Sequence, residues 1–280
     1  MIVVDAHVHP PIKEFFDALP HVDKIFRYFG VQKKSLSLEK LIDEFSEAGV
    51  DKLLILGWDA ETATGLPKIP NDKIAEMVEA RSDRLIGFAC VDPWKGRSAV
   101  KELERCVREL GLTGLKLHPG VQAFYPNDKR FYPLYEKCIE LDVPVLIHGG
   151  LTAIGMGLKG GLGVKMTHTN PLYVDEVASE LSELRVFISH PAWPWVEEQI
   201  AVVMHKGNVY MDLSGWYPRY FPATLKTYLN TRFLEDKCFF GTDYPFLNPK
   251  RWLEDFKKLK LKPETIEKIL GKNFMRFLKI

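Results

Sequence analysis

Cysteine is scarce in this chain. Cys90, Cys106, Cys138 and Cys238 are the only four, and no two are close enough to form a CxxC-type pair. Buried thiols in a reducing compartment are the expectation, which points to the cytoplasm. An excess of charge of either sign is also missing. The formal net charge is +1, so there is no electrostatic case for nucleic acid or an anionic membrane as a partner. No stretch approaches the roughly 18 apolar residues of a membrane span, and no basic leader followed by a long apolar segment opens the chain. Linkers, internal repeats and low-complexity tracts are absent too. One domain over residues 1–280 is therefore expected, with 46% hydrophobic residues available for its core.

Eight short β-rich runs alternate with helical patterns along the chain. They lie at residues 2–9, 52–58, 85–92, 114–119, 143–150, 185–191, 208–215 and 237–245. Most are compact apolar runs rather than alternations, as in parallel strands buried on both faces. Between them, Leu38, Leu41, Ile42, Phe45 and Ala48 recur at helical spacing before Gly49. Leu103, Cys106, Val107 and Leu110 do the same, with Ser98 as a candidate N-cap. A last helix is expected from about Pro263 to Leu278. Eight such units predict an α/β fold, a (β/α)8 TIM barrel with an extra C-terminal helix. The competing doubly wound sheet would carry a glycine-rich turn after its first strand. Here that strand ends in histidines and Pro10-Pro11, and the glycine-rich segment 155–163 lacks the phosphate-loop pattern. Two βα connections are long, residues 10–35 and 149–169. In a barrel both lie at the C-terminal face, where they can wall or cover a site.

Polar residues gather at the C-terminal ends of the predicted strands. His7 and His9 end the first, Lys116 and His118 sit on the fourth, His148 ends the fifth, His190 the sixth and Asp243 the eighth. Five of the eight histidines belong to this set. A lone strand histidine is more often a core or loop group than a ligand. In a strand, however, residues i and i+2 share a face about 6–7 Å apart, so His7 and His9 can converge on one ion. His148 and Asp243 add an imidazole and a carboxylate. Three histidines and one carboxylate suit one divalent transition metal, Zn²⁺ first, with Mn²⁺ also compatible.

The segments DAHVH, GLKLHP, PVLIHGG, ISHPAW and FGTDYP, in this order, resemble the amidohydrolase superfamily. They are most similar to its amidohydrolase 2 branch of TIM-barrel metal-dependent hydrolases, which includes aminocarboxymuconate-semialdehyde decarboxylase and related non-oxidative decarboxylases. The resemblance implies His7, His9, His148 and Asp243 as metal ligands and His190 as an acid/base or polarising group. Many binuclear members carry a carboxylated lysine at the end of strand four. Lys116 is on that strand, but His118 lies two residues nearer its end. One metal is therefore favoured, with Lys116 and His118 near the substrate or behind the ligands. Asp5 is read as a buried hydrogen-bond partner below the metal.

Two chemistries follow. In the first, metal-activated water attacks an amide, ester or lactone, with Asp243 carrying the proton to the leaving group. In the alternative, the same site removes CO2 from a small aromatic or muconate-type acid. That route needs a cation for the carboxylate, and Arg27, Lys159, Lys165 and Arg219 are candidates. Trp58, Trp94, Trp193, Trp195, Trp216 and Tyr217 follow strands and can line a pocket for a planar substrate, Trp193 in particular. A barrel that binds without turnover would be expected to have lost a ligand or His190, and all are present. The expected partner is a small molecule, and a homodimer is the commonest assembly for such an enzyme.

Overall fold

The eight predicted strands pair side by side in chain order in the computed structural model, which describes residues 1–280. They are β1 (Val4–Val8), β2 (Lys52–Leu56), β3 (Leu85–Cys90), β4 (Leu115–Leu117), β5 (Val145–His148), β6 (Val186–Ser189), β7 (Val209–Asp212) and β8 (Cys238–Phe239). Every pairing is parallel. The ring closes between β1 and the segment through β8. There Ala6 N–H donates to Phe240 O, Asp243 N–H to His7 O and His9 N–H to Tyr244 O, each at 2.9 Å. A right-handed βα crossover repeated eight times leaves this closure as the way to satisfy both edge strands. The eighth strand is shorter than its apolar run, because residues 240–245 turn away into the closing contacts instead of pairing regularly with β7.

Two apolar surfaces hold the barrel together. One side of each strand packs against the helices, as the apolar runs require. The other side fills the barrel's N-terminal half with a plug in which Phe88, Phe187 and Phe239 meet Phe274 and Phe277 of the last helix. The Phe187 and Phe239 rings lie 5.5 Å apart, and Phe239 lies 5.2 Å from Phe274. Val4 and Ala6 of β1 join this plug, while His7 and His9 face the opposite, open end. The change of phase has a local cause. From Asp5 to Val8, β1 advances three residues while β2 advances two, from Leu53 to Ile55, so a bulge re-aims the strand's end.

Helices follow the predicted stripes, with three differences. Helix Leu38–Glu47 buries Leu41, Ile42 and Phe45, and Ser37 caps it by accepting from Lys40 N–H. Ser98 is not a cap: the second stripe lies on helix Arg97–Arg108, with Gly96 at the N-cap position. Residues 10–35 are not a bare loop but carry helices Lys13–Ala18 and Val22–Tyr28, which pack Phe15, Phe16, Ile25 and Phe26 inward. The C-terminal helix is interrupted at Lys268–Lys272 by a turn of π-helix. Ile269 O there accepts from Phe240 N–H at 2.9 Å, so a helix carbonyl is diverted to the barrel wall. All four cysteines are free and buried. No helix is long and apolar enough to cross a membrane.

Gly271 lies where this π-turn crosses β1. A Cβ at this position would fall 2.0 Å from Ile2 O, a backbone atom that cannot swing aside. Gly271→Ala is expected to lose about 1–3 kcal/mol of stability by overpacking and to lower the melting temperature by several degrees, read by thermal melting.

Candidate active site

Strand ends and the loops after them converge on a cavity of about 1020 Å³ at the C-terminal mouth. His7, His9, Lys116, His118, His148, His190 and Asp243 all line it. The structure thus brings together every strand-end residue singled out from the sequence.

Asp212 organises this floor from the end of β7. Its Oδ2 accepts from His7 Nδ1 at 2.9 Å, and its Oδ1 accepts from the backbone N–H groups of His190 at 3.0 Å and Ser214 at 2.9 Å. The Ser214 hydroxyl also donates to Asp212 Oδ1. Ser214 Oγ lies 2.8 Å from His190 Nδ1, and because its own proton goes to Asp212, it accepts from Nδ1–H. The tautomers follow. His7 and His190 each carry their proton on Nδ1, which leaves both Nε2 lone pairs free. Gln199 Nε2 donates to His190 O at 2.7 Å and secures the loop that holds His190 in a left-handed conformation, φ 68°.

His7 Nε2 and His9 Nε2 each lie 3.5 Å from Asp243 Oδ1. That is too far for a hydrogen bond, and their ligand atoms with those of Asp243 form a cluster able to hold a metal ion. His148 Nε2 and His7 Nε2 are buried without any hydrogen-bond partner. The His148 ring stands 4.8 Å from His190 and stacks on His118 at 3.8 Å. His7 and His9 beside one carboxylate, with the unpartnered His148 Nε2 on the same cavity, supply the donor types of a divalent metal site. Burial drives the imidazoles of His7, His9, His118 and His148 well below their ordinary pKa, the Lys116 charge adding to the effect. Neutral imidazole is the form that ligates. The group fits.

His118 does different work. Its Nδ1 accepts from Val121 N–H at 3.3 Å, so its Nε2–H donates to Thr152 Oγ1 at 3.2 Å. Both nitrogens are committed, and its part is to stack behind His148. His190 has its pKa lowered to about 4 by burial, against the pull of Asp212. It is an unprotonated base at neutral pH. Burial also raises the Asp5 carboxyl to about 7, although Asp5 Oδ1 accepts from His7 N–H and Thr242 N–H, both at 3.0 Å. Asp5 therefore braces the backbone under His7, as its sequence position suggested.

The cavity walls revise the candidate cations. Arg219 is not beside the substrate space: its guanidinium forms a two-pronged pair with Asp255, its Nη2 at 2.9 Å, and it does not line the cavity. Arg27, Lys159 and Lys165 do not line it either, whereas Lys34 and Arg251 do. Sequence order could not separate these, since each lies in a connection that follows a strand. Trp58, Trp193, Trp216 and Tyr217 form aromatic walls. Trp94 and Trp195 lie outside, and Trp94 Nε1 donates to Gln122 O at 2.7 Å. Asp212 and Ser214 are the residues sequence reasoning missed. The run NVYMDLSG ends in them, at the same strand-end position as the histidines.

A closed parallel barrel whose open end gathers imidazoles and carboxylates able to hold a divalent ion defines a class, the metal-dependent (β/α)8 enzymes. Within that class the chain belongs to the amidohydrolase family: the Amidohydrolase family model, of the amidohydrolase 2 type, matches residues 4–280. It is similar to 2-amino-3-carboxymuconate-6-semialdehyde decarboxylase of Dictyostelium discoideum, 26% identical over 255 residues, which span 78% of this chain and 67% of that protein. An uncharacterized TIM-barrel protein from Bordetella bronchiseptica superposes with a TM-score of 0.83 at 28% identity, covering 100% of this chain and 99% of that one. The fold is shared as well by 5-carboxyvanillate decarboxylase of Novosphingobium aromaticivorans, with bound manganese and 4-hydroxy-3-methoxy-5-nitrobenzoic acid. Its TM-score is 0.74 at 18% identity, over 100% of this chain and 96% of that chain.

Asp212→Asn tests the organising role. An amide cannot accept from both His7 and the Ser214–His190 pair in the same way, so the two tautomers lose their anchor. A fall of about 10–100-fold in metal affinity is expected, measured by metal titration of the purified protein.

Proposed function

We propose that this protein is a metal-dependent carboxy-lyase that removes CO2 from a small planar carboxylic acid. Hydrolysis of an amide, ester or lactone, the first reading of the sequence, takes second place. The observation that carries the choice is the cavity itself, whose neutral imidazole and carboxylate floor is enclosed by Trp58, Trp193, Trp216 and Tyr217. Flat aromatic walls suit a planar acid better than a tetrahedral addition product. The relatives whose reactions are named, quoted above, are decarboxylases, which favours the same route.

His7, His9, His148 and Asp243 would hold the metal. Mn²⁺ has the support of the structural neighbour, and Zn²⁺ suits the same three imidazoles and one carboxylate. When bound, the metal supplies positive charge that fixes a substrate oxygen and offsets charge gathering on it. The chain supplies the rest. His190 Nε2, unprotonated and turned to the cavity, takes a proton from a substrate hydroxyl or a water at the floor. The Asp212–Ser214 relay on Nδ1 stabilises the imidazolium so formed. His190 then returns the proton to the carbon that bears the carboxylate. The C–C bond breaks, its electron pair stays on that carbon to bind the proton, and CO2 leaves. The aromatic walls hold the ring in place and keep bulk water from the reacting carbon.

The test is product analysis with metal-loaded protein on a panel of aromatic and muconate-type acids, lactones and amides. CO2 release from an acid is expected; ring opening or amide cleavage with no CO2 from any acid would overturn the proposal. With a substrate in hand, His190→Asn is expected to lower kcat by about 10²–10⁴-fold while elemental analysis shows the metal retained.

A further inference from the structure

One group on the cavity floor has no task in this scheme. Lys116 projects from β4 with 1% of its surface exposed, and its Nζ has no hydrogen-bond partner. A buried ammonium without a partner is among the least favourable placements a side chain can have. Asp212 and Asp243 act on its charge through space, but neither hydrogen-bonds it. Asp212 already accepts from His7, from the backbone N–H groups of His190 and Ser214, and from the Ser214 hydroxyl. Asp243 turns its Oδ1 to His7 and His9.

The other cations that face the cavity stand differently. Lys34 and Arg251 are exposed, and Arg251 lies over the Tyr217 ring at 4.5 Å. They can draw an anion to the mouth, but a charge that reaches the floor meets Lys116. The way down is flat-sided: Trp58 sets its edge to His118 at 5.4 Å, and His118 stacks on His148.

We propose that Lys116 binds the carboxylate of a planar organic acid at the cavity floor and makes the site select acids over neutral molecules of the same shape. The class of acid rests on the decarboxylase reading. The charge of Lys116 and its lack of a partner do not. The residue is a binding group paired by the ligand rather than by the protein, and its burial makes that pairing strong because no water competes.

Calorimetric titration of the full-length, manganese-loaded protein with salicylate and with salicylamide tests this. The two probes differ little in shape and by one charge. Wild type is expected to favour salicylate by about thirty-fold or more. Lys116→Met, which keeps the length and removes the charge, is expected to abolish that preference with metal content unchanged. It should also melt at or above the wild-type temperature, because a buried charged group with no hydrogen-bond partner has been removed. A purely structural lysine would lower the melting temperature and leave the preference in place. A preference that survives in Lys116→Met overturns the proposal, as does equal binding of the two probes by wild type. Lys116→Gln is the second variant, with the same expectation, and loss of fold in both variants also overturns the proposal. If no acid in the activity panel loses CO2 but the preference depends on Lys116, the reaction assignment fails and the anchor stands.

Discussion

The site depends on one buried carboxylate. Asp212 accepts from four donors, His190 N, Ser214 N and Ser214 Oγ on Oδ1 and His7 Nδ1 on Oδ2. These donors come from β1, from the loop after β6 and from the loop after β7, so a single side chain ties three parts of the barrel mouth together. It also sets two tautomers at once. One free Nε2, on His7, belongs to the metal cluster; the other, on His190, faces the substrate space. In the proposed reaction, metal holding and proton handling would therefore be two outputs of the same hydrogen-bond set.

Such a floor is expensive to bury, and the other half of the barrel offsets it. The phenyl plug between the strands and the last helix carries no polar atoms, while the open half carries imidazoles, carboxylates and a lysine. Unpartnered atoms there include His7 Nε2, His148 Nε2 and Lys116 Nζ. Apolar burial at one end and unsatisfied polar groups at the other are the usual division between a scaffold and a functional face. The bulge in β1 is where one regime passes to the other, within a strand of five residues. Without it, the phase that places Val4 and Ala6 in the plug would turn His7 and His9 toward the helices.

The barrel and much of its floor were legible in the sequence because both obey short-range rules. Apolar runs at regular spacing give strands, and a polar residue at a strand's end faces the mouth. Asp212 obeys that rule too, yet it was passed over because an acid beside a serine at a strand end looks like ordinary turn chemistry. What it does depends on His7, which is 205 residues away in sequence. Arg219 fails for the converse reason. Its position after β7 fits a substrate cation, but Asp255 on the helix after β8 claims its guanidinium, a pairing that only the folded chain makes. The helices within residues 10–35 were hidden behind Pro10-Pro11, which stop β1 without saying what comes next. The aromatic Phe16–Phe26 contact at 5.5 Å that ties those two helices together is tertiary as well.

The same distinction bears on why reaction type is harder to read than fold. Hydrolysis and decarboxylation at such a floor share most of their requirements: an oxygen held by a metal, a neutral imidazole to carry a proton, and an acid to steady it. They part at the destination of the proton, which is a heteroatom in one case and a carbon in the other. No residue on the floor fixes that destination. It is set by how the substrate lies, and the substrate's lie is set by the walls. Trp193, Trp216 and Tyr217 come from the loops after β6 and β7, and further wall residues come from the two long connections after β1 and β5. Strand-end residues thus give the family, and loop residues give the bond that is broken. A substitution at Trp193 or Trp216 can change the reacting partner while leaving every imidazole where it is.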